Sequence, residues 1–386
     1  MIIKRFLNWK TTADVRKRSA AASALARAYL TSELAFEDRV AAEAALAELC
    51  DDPSPHVRMA MADALAGSGH APDHVINALL CDRYDIASLI VVRSPIVRET
   101  DLADRVRQGD PRLQPLMASR SHVGRLLALA LARYGTAEAA IALLDNSTAH
   151  VCNETLRLLV DRHATTPDVR ARLLESSELP AVFRYRLLLA AGEACQDAKA
   201  LVAYALSEER AGDIIGAAIQ RSVIELVAQA SVDELPELTQ TLCDDGRLTT
   251  VLLVRSVCCG HVDFIVAAVA LLTTMSRGDV ASVFAGSREA PLRALLSRAG
   301  LAEHTHVIFT RAIAQWAAVA RGRLDAGVQE VTHAVMEAYD ASAQASRRPA
   351  NDDLRGLLRG IYLDAVRTNA RSHARAVAAM DVDIAA

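Results

Sequence analysis

The segment 51–65 places the strongest constraint on the fold of this chain. It reads Asp-Asp-Pro-Ser-Pro-His-Val-Arg-Met-Ala-Met-Ala-Asp-Ala-Leu, which is a tight Asp/Pro turn followed by a helix rich in small and large apolar residues. A helix this short is only marginally stable by itself in water. A chain built from such units must therefore hold its helices by packing them against their neighbours.

Turn residues divide most of the chain into similar short helices, and the helices become longer after residue 300. Alanine and leucine, two of the strongest helix formers, dominate these segments, so an all-α fold is expected. Reading turns from Gly, Pro, Asp and Ser/Thr predicts helices over the ranges 12–30, 35–49, 55–67, 72–82, 99–107, 111–118, 122–134, 136–145, 148–163, 167–176, 180–194, 197–206, 212–230, 233–244, 247–259, 261–274, 277–285, 288–299, 303–321, 324–344 and 352–379.

Six of the eleven histidines directly precede a valine, and each of these pairs falls near a predicted helix start, at residues 56, 74, 122, 150, 261 and 306. We interpret the pair as a register mark of repeated units, with His in the turn and Val as the first core residue. The alternative is a ladder of histidines for metal binding or pH sensing. Packed helices lie roughly 10 Å apart, which is too far for shared coordination, and we favour the register mark.

Composition narrows the class of protein. Hydrophobic residues make up 52% of the chain and charged residues 23%, so the chain can bury a large core. The longest uncharged apolar run, 264–275, falls well short of the roughly 20 residues that span a bilayer. No cleavable signal is recognised. The seven cysteines are scattered without metal-type spacing, which favours a reducing cytoplasm and predicts no cofactor.

The charge distribution is uneven along the chain. The net charge is −4, yet residues 1–30 carry seven basic residues and one acidic residue. The remainder is acidic, which argues against a nucleic-acid groove running along the helices. Aromatic residues make up 4% of the chain, so few stacking platforms for single-stranded nucleic acid are expected.

These patterns predict three regions. Residues 1–30 form a basic N-terminal segment and the first helix, residues 31–300 form the helical repeats, and residues 301–386 form a C-terminal extension of longer helices. Stacked pairs of this kind serve as binding scaffolds far more often than as catalysts.

Two blocks of sequence resemble a bacterial family catalogued as domain of unknown function 2336. The second block is 256–272, and the first comprises 85–89, 93–95, 101–102, 107–109, 118–120, 143–146 and 158–162, in that order and spacing. The resemblance covers roughly residues 20–300, and members of this family are HEAT-like and found mainly in alphaproteobacteria. It implies a HEAT-like right-handed α-solenoid with a C-terminal helical extension, and it implies no activity.

Five arginines lie at similar places in successive units, and the first four of them are candidate binding residues: Arg58, Arg98, Arg120, Arg125 and Arg162. In HEAT stacks such arginines often pair with turn aspartates in a ladder that sets the angle between repeats. The same side chains could instead hold an acidic peptide or a phosphate group. Asn146 is a fifth candidate, although a left-handed helix C-cap would explain it without a ligand.

Two Glu-x-x-His patterns are the candidate metal ligands, Glu303 with His306 and Glu330 with His333. Pairs of such motifs hold two metal ions in some helical bundles. If the two helices form a hairpin around residue 322, the histidines are offset by about 9 Å along the helix axis. We therefore predict no metal site.

The first ten residues suggest an alternative role for the N-terminus. In a helix, Ile2, Phe6 and Trp9 share one face, and basic side chains lie at its flanks. Phe6 and Trp9 could anchor such a helix on an anionic membrane or on a partner. We favour the simpler interpretation that this segment caps the first helix pair.

No catalytic constellation or phosphate-binding loop is recognised in the sequence. We therefore predict a non-catalytic, cytoplasmic scaffold that binds another protein on its solenoid surface and does not bind nucleic acid. The alternatives are a peripheral membrane adaptor that uses the basic N-terminus and, less favoured, a HEAT-like enzyme linked to a metal or to nucleic acid.

Overall fold

A computed structural model describes residues 8–176, 178–197, 207–286, 288–345 and 352–384. Over these residues the regular secondary structure is helical, and the one β-type contact is an isolated bridge between Val123 and Ala149. The all-α class predicted from the sequence is confirmed. Within these ranges no helix is both long and apolar enough to cross a bilayer. The predicted helix 197–206 lies almost entirely outside the described residues.

The chain divides into two compact units, Met1–Leu179 and Pro180–Ala386. This boundary does not coincide with the regions proposed from sequence, whose limits near residues 30 and 300 stay predictions. After a short helical segment at 8–12, the helices of unit 1 are α1 (Val15–Thr31), α2 (Phe36–Cys50), α3 (Pro55–Leu65), α4 (Asp73–Leu80), α5 (Tyr84–Arg93), α6 (Glu99–Gln108), α7 (Gln114–Ala118), α8 (Arg125–Tyr134), α9 (Ala137–Asp145), α10 (Asn153–His163) and α11 (Pro167–Glu175).

In unit 1 most helices pack against the helix that lies two positions further along the chain, as α1 does against α3. Helices α1, α3, α5, α7, α9 and α11 contact one another in succession and form one row. In the second row α2 contacts α4, and α8 lies between α6 and α10. Contacts between successive helices, such as α1 with α2 and α8 with α9, join the two rows. The core of the unit lies between the rows, where Leu46, Met61, Leu79 and Leu131 are fully buried.

Helix α5 was not predicted from the sequence. It contains Ile86, Ile90, Val91 and Val92, and β-branched residues lose rotamer freedom in a helix. Three of these side chains are buried or nearly so, because α5 lies between α3 and α7 in the first row. Tertiary burial therefore overrides a weak local preference.

Arginine–aspartate pairs link the first helices of unit 1. The Arg18 Nε atom in α1 donates to Asp52, which follows α2, over 2.9 Å. The Arg58 Nε atom in α3 donates to Asp82, which follows α4, over 2.6 Å. A second nitrogen of Arg58 donates to the backbone carbonyl of Asp52 over 2.5 Å. The two pairs therefore form a continuous ladder through Asp52, whose side chain is fully buried.

Unit 2 contains the longer helices. They are α12 (Ala181–Asp197), α13 (Glu208–Gln229), α14 (Leu235–Asp244), α15 (Thr250–Cys258), α16 (Val262–Thr273), α17 (Arg277–Gly286), α18 (Glu289–Arg298), α19 (Glu303–Ala320), α20 (Val328–Ala345) and α21 (Asp352–Ile384). Helix α21 runs past the predicted end at residue 379.

The core of unit 2 forms around α15 and α16. Every residue of α16 from 264 to 270 is buried, as expected for a helix that is apolar all round. Helix α15 contacts α13, α16, α19, α20 and α21. The apolar run that is too short to span a membrane is thus a central core helix.

The ladder generates a prediction about stability. Replacing Asp52 with Asn should lower the free energy of unfolding by about 1.5–3 kcal/mol, because the charged hydrogen bonds from Arg18 are lost in a buried place. Chemical denaturation followed by circular dichroism measures this loss. The exposed neighbour Asp51 offers a matched control, and Asp51→Asn should change stability by less than about 0.5 kcal/mol. Equal losses in the two variants would contradict the ladder.

A second prediction concerns pH. Burial alone would raise the pKa of Asp52, but the hydrogen bonds from Arg18 and Ser54 lower it below its ordinary value of 3.8. Because the folded-state pKa is lowered, the stabilising contribution is present above pH 3.8 and is lost as pH falls through the folded-state pKa. Unfolding measured between neutral and acid pH should show wild type losing stability relative to Asp52→Asn.

The variant Arg18→Met tests the cause of that pH dependence. Without the guanidinium group, the pKa of Asp52 rises towards or above its ordinary value, because the hydrogen bonds from Arg18 no longer oppose burial. The acid-induced loss of stability should therefore be smaller in Arg18→Met than in wild type. The same acid-induced loss in wild type and in Arg18→Met would contradict the assignment to Arg18.

Candidate interaction site

The turn between α9 and α10 is built around Asn146. Its side-chain nitrogen donates to the carbonyl oxygens of Ala118 and Arg120, both over 2.8 Å. Its side-chain oxygen accepts from the backbone N–H and the hydroxyl of Thr148, over 3.0 and 2.6 Å. The Asn146 amide therefore joins the end of α7 to the turn after α9.

The left-handed cap expected for Asn146 is wrong. Asn146 does follow the last residue of α9, but its φ of −85° and ψ of 98° are those of extended backbone. The Asn146 side chain is directed instead to α7 and the segment after it, where its amide nitrogen donates to two carbonyl oxygens.

Arg120 extends the same network inward. One guanidinium nitrogen donates to the carbonyl of Val91, and the other donates to the carbonyl of Ser94 over 2.8 Å. Both carbonyls lie at the C-terminal end of α5, where the last carbonyls lack partners within the helix. Burial lowers the pKa of Arg120. Arg162 in α10 acts in the same way at the end of α8, with bonds of 2.8 and 2.9 Å to Ala132 and Gly135.

Two clefts open on either side of the turn at residues 145–147. Cleft A, of about 520 Å³, lies between this turn and the end of α11. Its apolar surface includes Leu144 and Leu156, and its polar residues include Ser147, Arg172, Glu175 and Glu178. Cleft B, of about 570 Å³, includes Ser119, Glu138, Ile141 and Ser147 in its lining. Asp145 and Asn146 line both clefts.

Carboxylates outnumber cations in both clefts. In cleft A, Arg172 forms a short hydrogen bond with Asp145 and a 2.5 Å bond with Glu175. These two partners raise the pKa of Arg172. Glu178 forms no ion pair in the described part of the chain and is exposed. Cleft B adds the exposed carboxylate of Glu138 and contains no basic residue in its lining. The pair of clefts therefore offers negative charge beside a small apolar surface.

The other candidate arginines are engaged locally. Arg58 is bound within the ladder, as described above. Arg98 donates to Asp101 within the first turn of α6 over 3.0 Å, and both residues lie near the surface. Arg125 pairs with Glu154 over 3.2 Å across α8 and α10. Each of these three side chains is therefore paired with a different carboxylate.

The candidate metal ligands are placed in separate roles. His306 is buried, and its Nε2 atom lies 2.8 Å from the carbonyl oxygen of Leu301. Glu330 accepts from the Gly327 N–H over 2.8 Å, and Glu303 lies exposed in the first turn of α19. The rings of His333 and Tyr362 are in tilted contact, with their centroids 5.8 Å apart. Across the described residues, no three His, Cys, Asp or Glu side chains are grouped so that they could hold a metal ion.

The N-terminal anchor candidates are only partly within the described residues. Phe6 lies outside them. Trp9 is partly buried in the helical segment 8–12. The adjacent Lys10 donates to the Glu48 carbonyl over 2.5 Å and pairs with the Glu48 carboxylate over 3.2 Å, which ties this segment to the last turn of α2.

The family model for an uncharacterised protein conserved in bacteria, DUF2336, matches residues 86–348. This is well over half of the chain. The chain belongs to the DUF2336 family. No curated protein and no solved structure matches it. The resemblance inferred from the sequence is confirmed, although the match begins at residue 86 rather than near residue 20 and extends beyond residue 300. Asn146 and both clefts lie inside the DUF2336 match.

Sequence reasoning found Asn146 and Arg120 but missed the clefts beside them. Arg172, Glu175 and Glu178 come from α11 and its C-terminal side, about thirty residues beyond Asn146. They reach the turn after α9 because α9 and α11 are neighbours in the same row. In the sequence, these residues look like the charged end of an ordinary helix. Their proximity to Asn146 could have been predicted only by knowing that α9 packs against α11.

The Asn146 network in this DUF2336 protein can be tested by substitution. In Asn146→Asp a carboxylate would face two carbonyl oxygens that now receive hydrogen bonds. We expect the free energy of unfolding to fall by at least about 2 kcal/mol at neutral pH, and to recover partly in acid when the new carboxyl is protonated. Denaturation followed by circular dichroism at both pH values measures the effect.

Asn153→Asp is the matched control for that substitution. Asn153 is exposed at the first residue of α10, where a negative charge is neutral or slightly favourable. A loss in Asn153→Asp as large as that in Asn146→Asp would show that the network around Asn146 is not the cause.

Proposed function

We propose that this protein is a non-catalytic binding scaffold, a HEAT-like right-handed α-solenoid that holds a segment of a partner protein. The predicted setting is the cytoplasm. The succession of contacts between helices that are next but one in unit 1 supports the solenoid part of the proposal. Each added helix extends the surface of a row, and such rows offer long binding faces.

The observation that carries the binding proposal is the charge of clefts A and B. Arg58 and Arg120 donate to groups inside the stack and are only partly exposed, whereas Glu138 and Glu178 are exposed at the clefts. A partner segment with lysine or arginine side chains and one apolar residue complements this surface. Phosphate groups are disfavoured beside these carboxylates, which agrees with the prediction that the protein does not bind nucleic acid.

The membrane-adaptor alternative is not favoured by the contacts of Lys10. Its ammonium group is bound at the end of α2 and is largely withdrawn from solvent. That arrangement ties the described part of the N-terminal segment to the end of α2. The adaptor and enzyme alternatives stay predictions from the sequence.

Site-specific photo-crosslinking in the native host tests the binding site. A benzophenone side chain at Ser147, which is exposed and lines both clefts, should give a crosslinked product of discrete mass. The same group at Ser282, exposed on α17 in unit 2, should not give that product. The double variant Glu138→Lys/Glu178→Lys should reduce the Ser147 product about tenfold, because two favourable charges at the clefts are reversed.

Glu225→Lys is the control for charge reversal, since Glu225 is exposed on α13 in unit 2. It should leave the product unchanged. A product that forms equally from Ser147 and Ser282, or that survives the double variant in full, would overturn the assignment to the clefts.

A further inference from the structure

The first helix pair of unit 1 has an apolar groove on its surface. Helix α1 packs on α3, and α2 packs on α4, which buries one side of the pair. A groove of about 500 Å³ runs between α1 and α2 and is lined mainly by Ala21, Ala24, Leu25, Ala28, Ala41 and Ala45. Among the residues that line it, only Tyr29 and Asp38 have polar atoms in their side chains.

The same helix pair exposes further apolar side chains. Phe36 is 81% exposed and Val40 is 50% exposed, both on α2. Ala24 and Ala28 are exposed on α1. A helix face that meets water is usually polar. An apolar outer face with small residues instead permits close approach of another helix.

The charges of the two helices have opposite signs. Helix α1 contains four basic residues and no acidic residue. Helix α2 contains four acidic residues and the single base Arg39. Near the turn that joins them, Arg27 on α1 and Glu37 on α2 are exposed and form no ion pair in the described part of the chain. The pair is therefore complementary to itself rather than to a partner of one charge.

In a symmetric dimer, the direction of the two-fold axis determines which helices of the two copies face each other. A two-fold axis parallel to the helices places α1 of one copy against α2 of the other, antiparallel and with the two turns at the same end. Arg27 then faces the acidic start of the other copy's α2, where Glu37 and Asp38 lie. A two-fold axis perpendicular to the helices would place α1 against α1, which brings like charges together.

We propose that the groove between α1 and α2 is a self-association surface, covered by the α1–α2 pair of a second copy of this chain. The two pairs form an antiparallel four-helix bundle with alanine at its centre and Arg27–Glu37 pairs at one end. Because this contact does not use clefts A and B, the proposal is independent of the proposed function.

Sedimentation equilibrium of the full chain tests the proposal directly. Wild type should form dimers that dissociate on dilution. Ala24→Arg should raise the dissociation constant at least tenfold, on the order of the penalty for placing an unpaired charge in an apolar contact. Ala314→Arg, at an exposed alanine of α19 in unit 2, is the matched control and should leave the dissociation constant unchanged.

A charge swap tests the axis. Arg27→Glu and Glu37→Arg should each weaken the dimer about threefold to tenfold, because each brings like charges together across the interface. The double variant Arg27→Glu/Glu37→Arg restores opposite charges in the symmetric dimer and should regain most of the wild-type dissociation constant. If either substitution weakened the dimer by disturbing the fold, the second substitution would not restore the dissociation constant.

Three results would overturn the proposal. A full-length chain that stays monomeric at all concentrations would reject the groove as a self-association surface. A dimer that is insensitive to Ala24→Arg would place self-association elsewhere. Failure of the double variant to restore the dimer would reject the arrangement of α1 against α2.

Discussion

Short helices packed side by side leave their last carbonyl groups close to neighbouring helices, where water has limited access and a polar group without a partner is costly. In this protein side chains from other helices supply the missing donors. Arg120 reaches the end of α5, Arg162 reaches the end of α8, and Asn146 reaches the end of α7. Gln114 joins Val106 near the end of α6 to Thr136 before α9. In unit 2 the Trp316 indole donates to Val257 near the end of α15.

These bonds also determine what remains on the surface. In Arg120 and Arg162, two of the guanidinium nitrogens are held by carbonyls of another helix. The sequence suggested that these arginines could bind an anion, but in the structure they link neighbouring helices. The surface at the turn after α9 therefore exposes mainly carboxylates. Such a surface suits a positively charged ligand, whereas the arginines in the sequence suggested a negatively charged one. The partner class proposed for clefts A and B follows from that reversal.

The sequence predicted most helices because turn residues separate them clearly, and it predicted the ladder of Arg58 with turn aspartates as one alternative. It did not predict α5, whose β-branched residues are stabilised as a helix only by packing against α3 and α7. It placed Asn146 at the end of α9 correctly but assigned the wrong backbone conformation. That error arose because a local cap rule cannot see two carbonyl acceptors that are contributed from α7 and the segment after it.

Local propensity and the order of residues along the chain are sufficient to predict the all-helical class, the DUF2336 resemblance and the short-helix pattern. Tertiary structure alone decided which helices are neighbours. That decision brought Arg172 and Glu175 to the turn after α9, placed Trp316 over Gly260 and left the groove between α1 and α2 uncovered within the described residues. Helices that are next but one meet through packing of side chains far apart in sequence, and no local pattern encodes such a contact.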